Sequence, residues 1–244
     1  MNIILKTTVI LLIVIIILRI IIYLISLENV ITIAVNLFNM KINVKNSKYL
    51  KNFNKENYII MANHYNASDY VAIIHAIKTI INTDKQIFAV AKYNAFNDKT
   101  DDNIISDIFG LFNNKMFNFF NLISYIRNNR ESGEKVKQNI LKIIKNNHIL
   151  IFPDGEAIKT GKPTSFKSGS FRLCADNNIP ILPITLIYKQ NIGVARNEKI
   201  ELSKLFNLDV DIIIHKPVKS NNWNYLKNYV FNKINEPFTL LTLQ

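Results

Sequence analysis

The sequence predicts an α/β fold, a mixed and mostly parallel sheet flanked by helices, with an N-terminal membrane-anchoring helix. Three observations predict it. Short apolar runs alternate with helical stretches from Tyr58 to Ile234, the signature of strands joined by helical crossovers. Four of those runs are followed closely by a polar or charged residue, His64, Lys92, Arg127 and Asp154, and ligands of open α/β sheets bind at the carboxyl ends of strands. From Val9 to Leu27 almost every residue is aliphatic, with only Arg19, Tyr23 and Ser26 breaking the run.

A bilayer-spanning helix needs roughly 20 mostly apolar residues, and the N-terminal run is long enough. A central arginine costs about 2.5–3.5 kcal/mol on insertion scales, which the aliphatic neighbours of Arg19 offset. The run is too long for the apolar part of a signal peptide, and no small-x-small cleavage site follows it. It is therefore expected to be a retained anchor over residues 1–30, leaving residues 31–244 as one folded domain. The basic segment that follows carries Lys41, Lys45, Lys48, Lys51 and Lys55. By the positive-inside tendency it favours a cytoplasmic domain, with Lys6 reducing the asymmetry.

Tyr58 to Ala62 reads as a short buried strand, and Tyr70 to Ile81 as a packed helix. Ile87 to Ala91 is a second strand. Asn97 to Asn103 is polar and reads as a loop, and Ile104 to Phe120 as an aromatic, amphipathic helix. Leu122 to Ile126 is a third strand. Glu134 to Lys145 places Val136, Ile140, Leu141 and Ile144 on one helical face, with lysines opposite. Ile149 to Phe152 is a fourth strand, stopped by Pro153-Asp154-Gly155. A short helix over Ser168 to Asn177 follows, then strands over Ile181 to Tyr188 and Val210 to Ile214. An amphipathic helix over Trp223 to Ile234 closes the domain.

The formal charge of +12 favours anionic partners, whether nucleic acid, an anionic bilayer or phosphorylated small molecules. The basic residues are scattered, and no aromatic residues interleave with them as in an RNA-binding motif, so nucleic acid is not expected. The single cysteine, Cys174, excludes an internal disulfide and offers no metal-site spacing, so no metal is expected.

His64 and Asp69 stand five positions apart. In one continuous helix that spacing separates two side chains by about 140° around the axis, so they meet only if His64 lies in a turn and Asp69 opens the next helix. A neutral imidazole, of ordinary pKa about 6.5, can take a proton from a hydroxyl. A carboxylate on its other nitrogen fixes the tautomer and stabilises the imidazolium. Taken alone, the segment is more often a helix cap, with Ser68 or Asp69 at the helix start and His64 bonded to a loop carbonyl. No serine or cysteine has an elbow-like context, so a substrate hydroxyl is the natural nucleophile.

Pro153-Asp154-Gly155 is an ordinary turn sequence. Gly161 and Gly169, with Lys159, Lys162 and Lys167 around them, make the next loop basic, suited to a phosphate or to solvent. Arg127 offers a planar fork that suits phosphate, although a lone arginine is more often a surface residue.

The order of these pieces resembles the glycerophospholipid acyltransferase family, in particular 1-acylglycerol-3-phosphate acyltransferases. Asn63-His64 and Asp69 match the family's Asn-His-x4-Asp motif. Ser124-Tyr125-Ile126-Arg127 looks like its second block, and Lys92 like the lysine after the preceding strand. Phe152, Pro153 and Gly155 match the third motif, with Asp154 at its glutamate position. Gly161, Phe166-Lys167 and Gly169 follow its continuation, Ile179 to Ile184 resembles the fourth motif, and Lys216-Pro217-Val218 the end of the last core strand. The resemblance covers roughly residues 57 to 218.

It implies an O-acyltransferase moving a fatty acyl group from acyl-CoA, or acyl-carrier protein, to a lysophospholipid hydroxyl. The thioester is a co-substrate and no cofactor is implied. His64 is then the base and Asp69 its orienter. Asp154 and Gly155 shape the acceptor site, Lys92 and Arg127 hold its phosphate, and backbone amides near Gly155 are candidate oxyanion donors. The sequence departs from the family where Glu156-Ala157-Ile158 replaces Thr-Arg-Ser, leaving Lys159 or Lys162 as substitutes for a phosphate-binding arginine. Asn66 stands where a serine is common, and Tyr93 to Asn121 is longer than usual. Glycerol 3-phosphate and lysophosphatidylcholine are therefore alternative acceptors. A catalytically silent, membrane-tethered basic module is the alternative of another class.

Overall fold

The strand Ile59–Ala62 (β2) lies mid-sheet and is buried along its whole length, because helices cover both of its faces. The structure, a computed structural model, describes residues 26–92, 118–126, 129–193 and 202–241. Among these, Lys41–Lys45 (β1), β2, Ile87–Lys92 (β3), Leu122–Tyr125 (β4), His148–Ile151 (β5), Ile181–Tyr188 (β6) and Asp209–Ile214 (β7) form a sheet of order β1-β7-β6-β2-β5-β3-β4. Every pairing is parallel except β6 with β7. The mixed, mostly parallel sheet expected from the alternating pattern is present.

Alternation along β2 assigns the two cores. Ile60 and Ala62 point toward helices Leu27–Leu37 (α1) and Ser68–Ile80 (α2), beside Ile31, Val35, Ile73 and Ile77. Ile59 and Met61 point the other way, toward Arg130–Ile143 (α3), Gly169–Asp176 (α4) and Trp223–Leu241 (α5), beside Ile140, Cys174, Leu226 and Val230. Successive strand residues face opposite sides, so four consecutive apolar residues serve two cores.

Two elements depart from the sequence reading. Residues 41–45, read only as a basic segment, form the edge strand β1. Its lysines face outward, Lys45 pairing with Asp211 at 2.7 Å, while Ile42 and Val44 pack on the core. Lysines on an exposed strand edge discourage pairing with other chains. The final helix runs on to Leu241 instead of stopping at Ile234, although Pro237 lies inside it. Proline cannot donate to the preceding turn. Thr185 Oγ1 of β6 donates to the Ile234 carbonyl there at 3.1 Å, tying the helix to the sheet.

The aliphatic run Val9 to Leu27 lies outside the described residues except at Ser26 and Leu27. Among the described residues no helix is long and apolar enough to cross a membrane. Ser26 caps α1, accepting from the Asn29 N–H at 3.3 Å, and the boundary read between residues 30 and 31 falls inside this helix. The loop and helix read over residues 97–120 also lie outside the described residues, apart from 118–120.

Candidate active site

The carboxyl ends of β2, β5 and β6 are neighbours in the sheet, so the segments leaving them meet at one edge. β2 leads into Asn63, which is fully buried and acts as the hub. Its side-chain oxygen accepts from Leu186 N–H at 2.8 Å. Its amide donates to the Leu186 and Gly161 carbonyls, each at 2.9 Å. One side chain thus ties the turn after β2 to β6 and to the loop after β5. The sequence reading quoted Asn63 within its motif but assigned it no role. The signal was there, because a polar residue directly after four buried apolar ones must have its bonding groups met.

His64 sits in the turn and Asp69 in the first turn of α2, as the spacing required. His64 Nδ1 lies 2.8 Å from Asp69 Oδ2. That oxygen also accepts from the Tyr65 N–H at 2.6 Å and the Asn66 N–H at 3.0 Å. The carboxylate is fully buried, whereas the imidazole side chain keeps 23% of its surface exposed. The turn-closing bonds and the imidazole–carboxylate contact therefore coexist: Asp69 closes its own turn and holds the ring. The bond that steadies the helix start comes from Asn66, whose Oδ1 accepts from the Ser68 N–H at 2.7 Å. With Nδ1–H committed to a carboxylate, the lone pair is on Nε2.

Phe152, just past β5, lies nearly parallel to the imidazole, with ring centroids 4.2 Å apart. The Ile158 N–H donates to the His64 carbonyl at 2.8 Å, so the loop after β5 clasps the His64 turn. Gly155 has φ +74° and its N–H donates to the Phe152 carbonyl at 3.0 Å. That amide is used inside the turn, so among the amides near Gly155 it is not free to meet an oxyanion. Asp154 points inward, and neither carboxylate oxygen has a hydrogen-bond partner among the described residues. Burial pushes its pKa up to about 7, while nearby backbone N–H groups of His64 and Asp154, outside good hydrogen-bonding geometry, pull it down only partly.

The sign of the Asp154 effect follows from that rise. The unfolded chain releases this proton near pH 3.8, the folded chain near 7. The stability tied to the neutral acid is complete below 3.8 and is lost as pH rises toward 7. Asp154→Asn, which holds no proton to lose, is expected to flatten that slope. Urea unfolding at pH 4.5 and pH 8 should show the variant gaining on the order of 2 kcal/mol over wild type across the interval. Equal slopes for the two proteins would contradict the burial argument.

Gly161 fixes the far end of the loop. Its φ is +65°, and a Cβ there would lie 1.8 Å from the Tyr65 ring. Neither the backbone nor the ring, buried against Tyr188, can give way. Gly161→Ala is expected to cost about 3 kcal/mol or more in urea unfolding, as overpacking and a left-handed alanine act together. Unchanged stability would show that the Tyr65 contact is not rigid.

The structure brings His64, Asp69, Asp154 and Gly155 together. Lys159 and Lys162 are exposed on the loop, and the Lys159 carbonyl lies 2.0 Å from where a Cβ on Gly193 would sit. Lys92 ends β3 in register with Tyr125 of β4. Arg127 lies outside the described residues. Asn66 Nδ2 donates to the Ile192 carbonyl at 2.9 Å, holding the segment after β6 against the site. No role was read for Asn66, because its partner lies 126 residues away.

A family model described as Acyltransferase matches residues 41–187, from the start of β1 to the penultimate residue of β6. The chain belongs to this acyltransferase family. The match takes in the His64–Asp69 pair, the Asp154 turn and the strands that carry them. The chain is similar to 1-acyl-sn-glycerol-3-phosphate acyltransferase BAT2, chloroplastic, of Brassica napus, at 31% identity over 113 residues, 46% of this chain and 32% of that protein. It is also similar to 1-acyl-sn-glycerol-3-phosphate acyltransferase LPAT1, chloroplastic, of Arabidopsis thaliana, at 34% identity over 92 residues, 38% of this chain and 25% of that protein. The matches thus span a third or less of each curated relative. The fold is shared with the crystal structure of the 1-acyl-sn-glycerophosphate (LPA) acyltransferase PlsC from Thermotoga maritima. There the TM-score is 0.59 at 19% identity, over 89% of this chain and 78% of that one.

Proposed function

We propose that this family member transfers a fatty acyl group from a thioester, acyl-CoA or acyl-carrier protein, to the free hydroxyl of 1-acylglycerol 3-phosphate, giving phosphatidic acid. The observation that carries the reading is the His64 ring, held at Nδ1 by a fully buried carboxylate while the ring itself stays partly exposed. Nε2 takes the proton as the acceptor oxygen attacks the thioester carbonyl. The new C–O bond forms, the C–S bond breaks, and the imidazolium returns the proton to the leaving thiolate. Asp69 stabilises the transient imidazolium throughout. No covalent enzyme intermediate is required. A pure binding module has no use for such a pair.

Membrane association is part of the proposal. The aliphatic run Val9 to Leu27 supports it. So do Ile33 and Leu37 of α1, exposed at 55% and 64%, which extend apolar surface next to that run. An acceptor that lives in a bilayer is met at higher local concentration by an enzyme held there.

Full-length protein in detergent should convert 1-oleoyl lysophosphatidic acid to phosphatidic acid with labelled oleoyl-CoA or oleoyl-acyl-carrier protein. Glycerol 3-phosphate and lysophosphatidylcholine are the parallel arms, because Glu156-Ala157-Ile158 leaves the head group open. Turnover confined to another acceptor would replace the substrate. No turnover with any acceptor and either donor would overturn the acyl-transfer reading.

A further inference from the structure

Tyr188 ends β6 on the same sheet edge as His64. It is 7% exposed, and its ring meets Tyr65 edge-on at 5.0 Å. Its hydroxyl lies 3.2 Å from Ser68 Oγ. Ser68 Oγ already donates to Asn66 Oδ1 at 2.6 Å, so the proton in the Ser68–Tyr188 contact comes from the tyrosine. The same hydroxyl faces the Asp69 carboxylate. Burial first, and then the Asp69 charge, push the Tyr188 pKa well above the ordinary tyrosine value, so the phenol stays protonated.

Asp69 is unevenly satisfied. Oδ2 accepts from His64 Nδ1 and two backbone N–H groups, while the buried Oδ1 has no partner among the described residues. A buried carboxylate oxygen without a donor is costly, and one phenolic proton stands close to this carboxylate with a long bond to Ser68 as its alternative. We infer that Tyr188 is a positioning residue for the His64–Asp69 pair, its hydroxyl turning between Ser68 Oγ and Asp69 Oδ1. The share of time spent on Asp69 sets how strongly that carboxylate holds a protonated His64. The titratable groups around the carboxylate are His64 and Tyr65 from its own turn and Tyr188 from β6. Asp154 approaches the His64 backbone from the loop after β5. No lysine or arginine bonds to the pair among the described residues. The inference rests on the reading of His64 as the base.

Two substitutions push in opposite directions. Tyr188→Phe removes the donor, leaves Asp69 more basic, and should move the His64 ring titration, followed by NMR in full-length protein, about one pH unit upward. Ser68→Ala removes the competing acceptor, gives the phenol wholly to Asp69, and should move it downward. The backbone N–H of Ser68 still serves Asn66, so the turn is kept. In the acyl-transfer assay the acid limb of kcat/KM should follow the same two directions. Equal midpoints, or shifts of the same sign, would overturn the inference. If Tyr188→Phe fails to fold, the sign of the Ser68→Ala shift decides alone. A wild type without turnover counts against the proposed reaction and leaves the NMR comparison standing.

Discussion

His64→Ala is expected to lower kcat for lysophosphatidic acid acylation by about 10³-fold, with little change in KM. General base catalysis by a positioned imidazole contributes about 10²–10⁴-fold. The loss should be chemical, not structural. The loop after β5 is held by the His64 carbonyl, which alanine keeps, and the ring is partly exposed, so its removal opens no sealed cavity. The partner that loses most is Phe152, stacked on the ring. Unfolding midpoints of variant and wild type should lie close together. Initial rates with saturating oleoyl-CoA provide the check, and a variant working within threefold of wild type would remove His64 from the mechanism.

Asp69→Asn is expected to lower kcat by about 10²–10³-fold, less than the roughly 10⁴-fold seen where an asparagine forces the wrong histidine tautomer in a hydrolase triad. The reason lies in the two backbone donors. An amide could present its NH2 group to His64 Nδ1 only by turning that group against the N–H groups of Tyr65 and Asn66, which bond the same oxygen. The amide oxygen is therefore held inward, and Nδ1–H keeps its acceptor. What disappears is the negative charge that stabilises the imidazolium. Three charge-assisted hydrogen bonds become neutral ones, a loss of about 2 kcal/mol or more in unfolding free energy. NMR of the His64 ring should report an unchanged tautomer beside the drop in rate. A switched tautomer would mean that the backbone does not hold the amide.

Much of the sheet was legible from residue order. The runs at 58–62, 87–91, 122–126, 149–152, 181–188 and 210–214 are strands to within about two residues at each end, because each is apolar and bounded by polar punctuation. β1 escaped, since Lys-Ile-Asn-Val-Lys offers only two apolar residues to an alternating pattern. Half-buried edge strands carry the weakest hydrophobic signal. The last helix was read only as far as Ile234, whereas it continues past Pro237 to Leu241.

The pairing of His64 with Asp69 was legible as well. Both lie within one turn of chain, and their spacing excludes a continuous helix. The same locality made Pro153-Asp154-Gly155 readable as a turn. The partners of that turn were not readable. Asn63 reaches Leu186 and Gly161, 123 and 98 residues away, and Asn66 reaches Ile192. His148, whose strand was read as starting one residue later, is buried with its ring 3.7 Å from that of Phe53, and burial pushes its pKa down to about 3.

Short-range chemistry thus determined from sequence alone the strands, the turn chemistry and the imidazole–carboxylate pair, since each depends on neighbours a few residues apart. The family resemblance rested on the same local motifs in order. Tertiary structure alone decided that the Gly155 amide is used within its turn and that both Asp154 oxygens are buried without a donor among the described residues. It also placed the Tyr188 hydroxyl against the Asp69 carboxylate. Those facts depend on which strand ends adjoin in the sheet, and burial turns such adjacency into pKa shifts and unmet hydrogen bonds that a linear pattern does not encode.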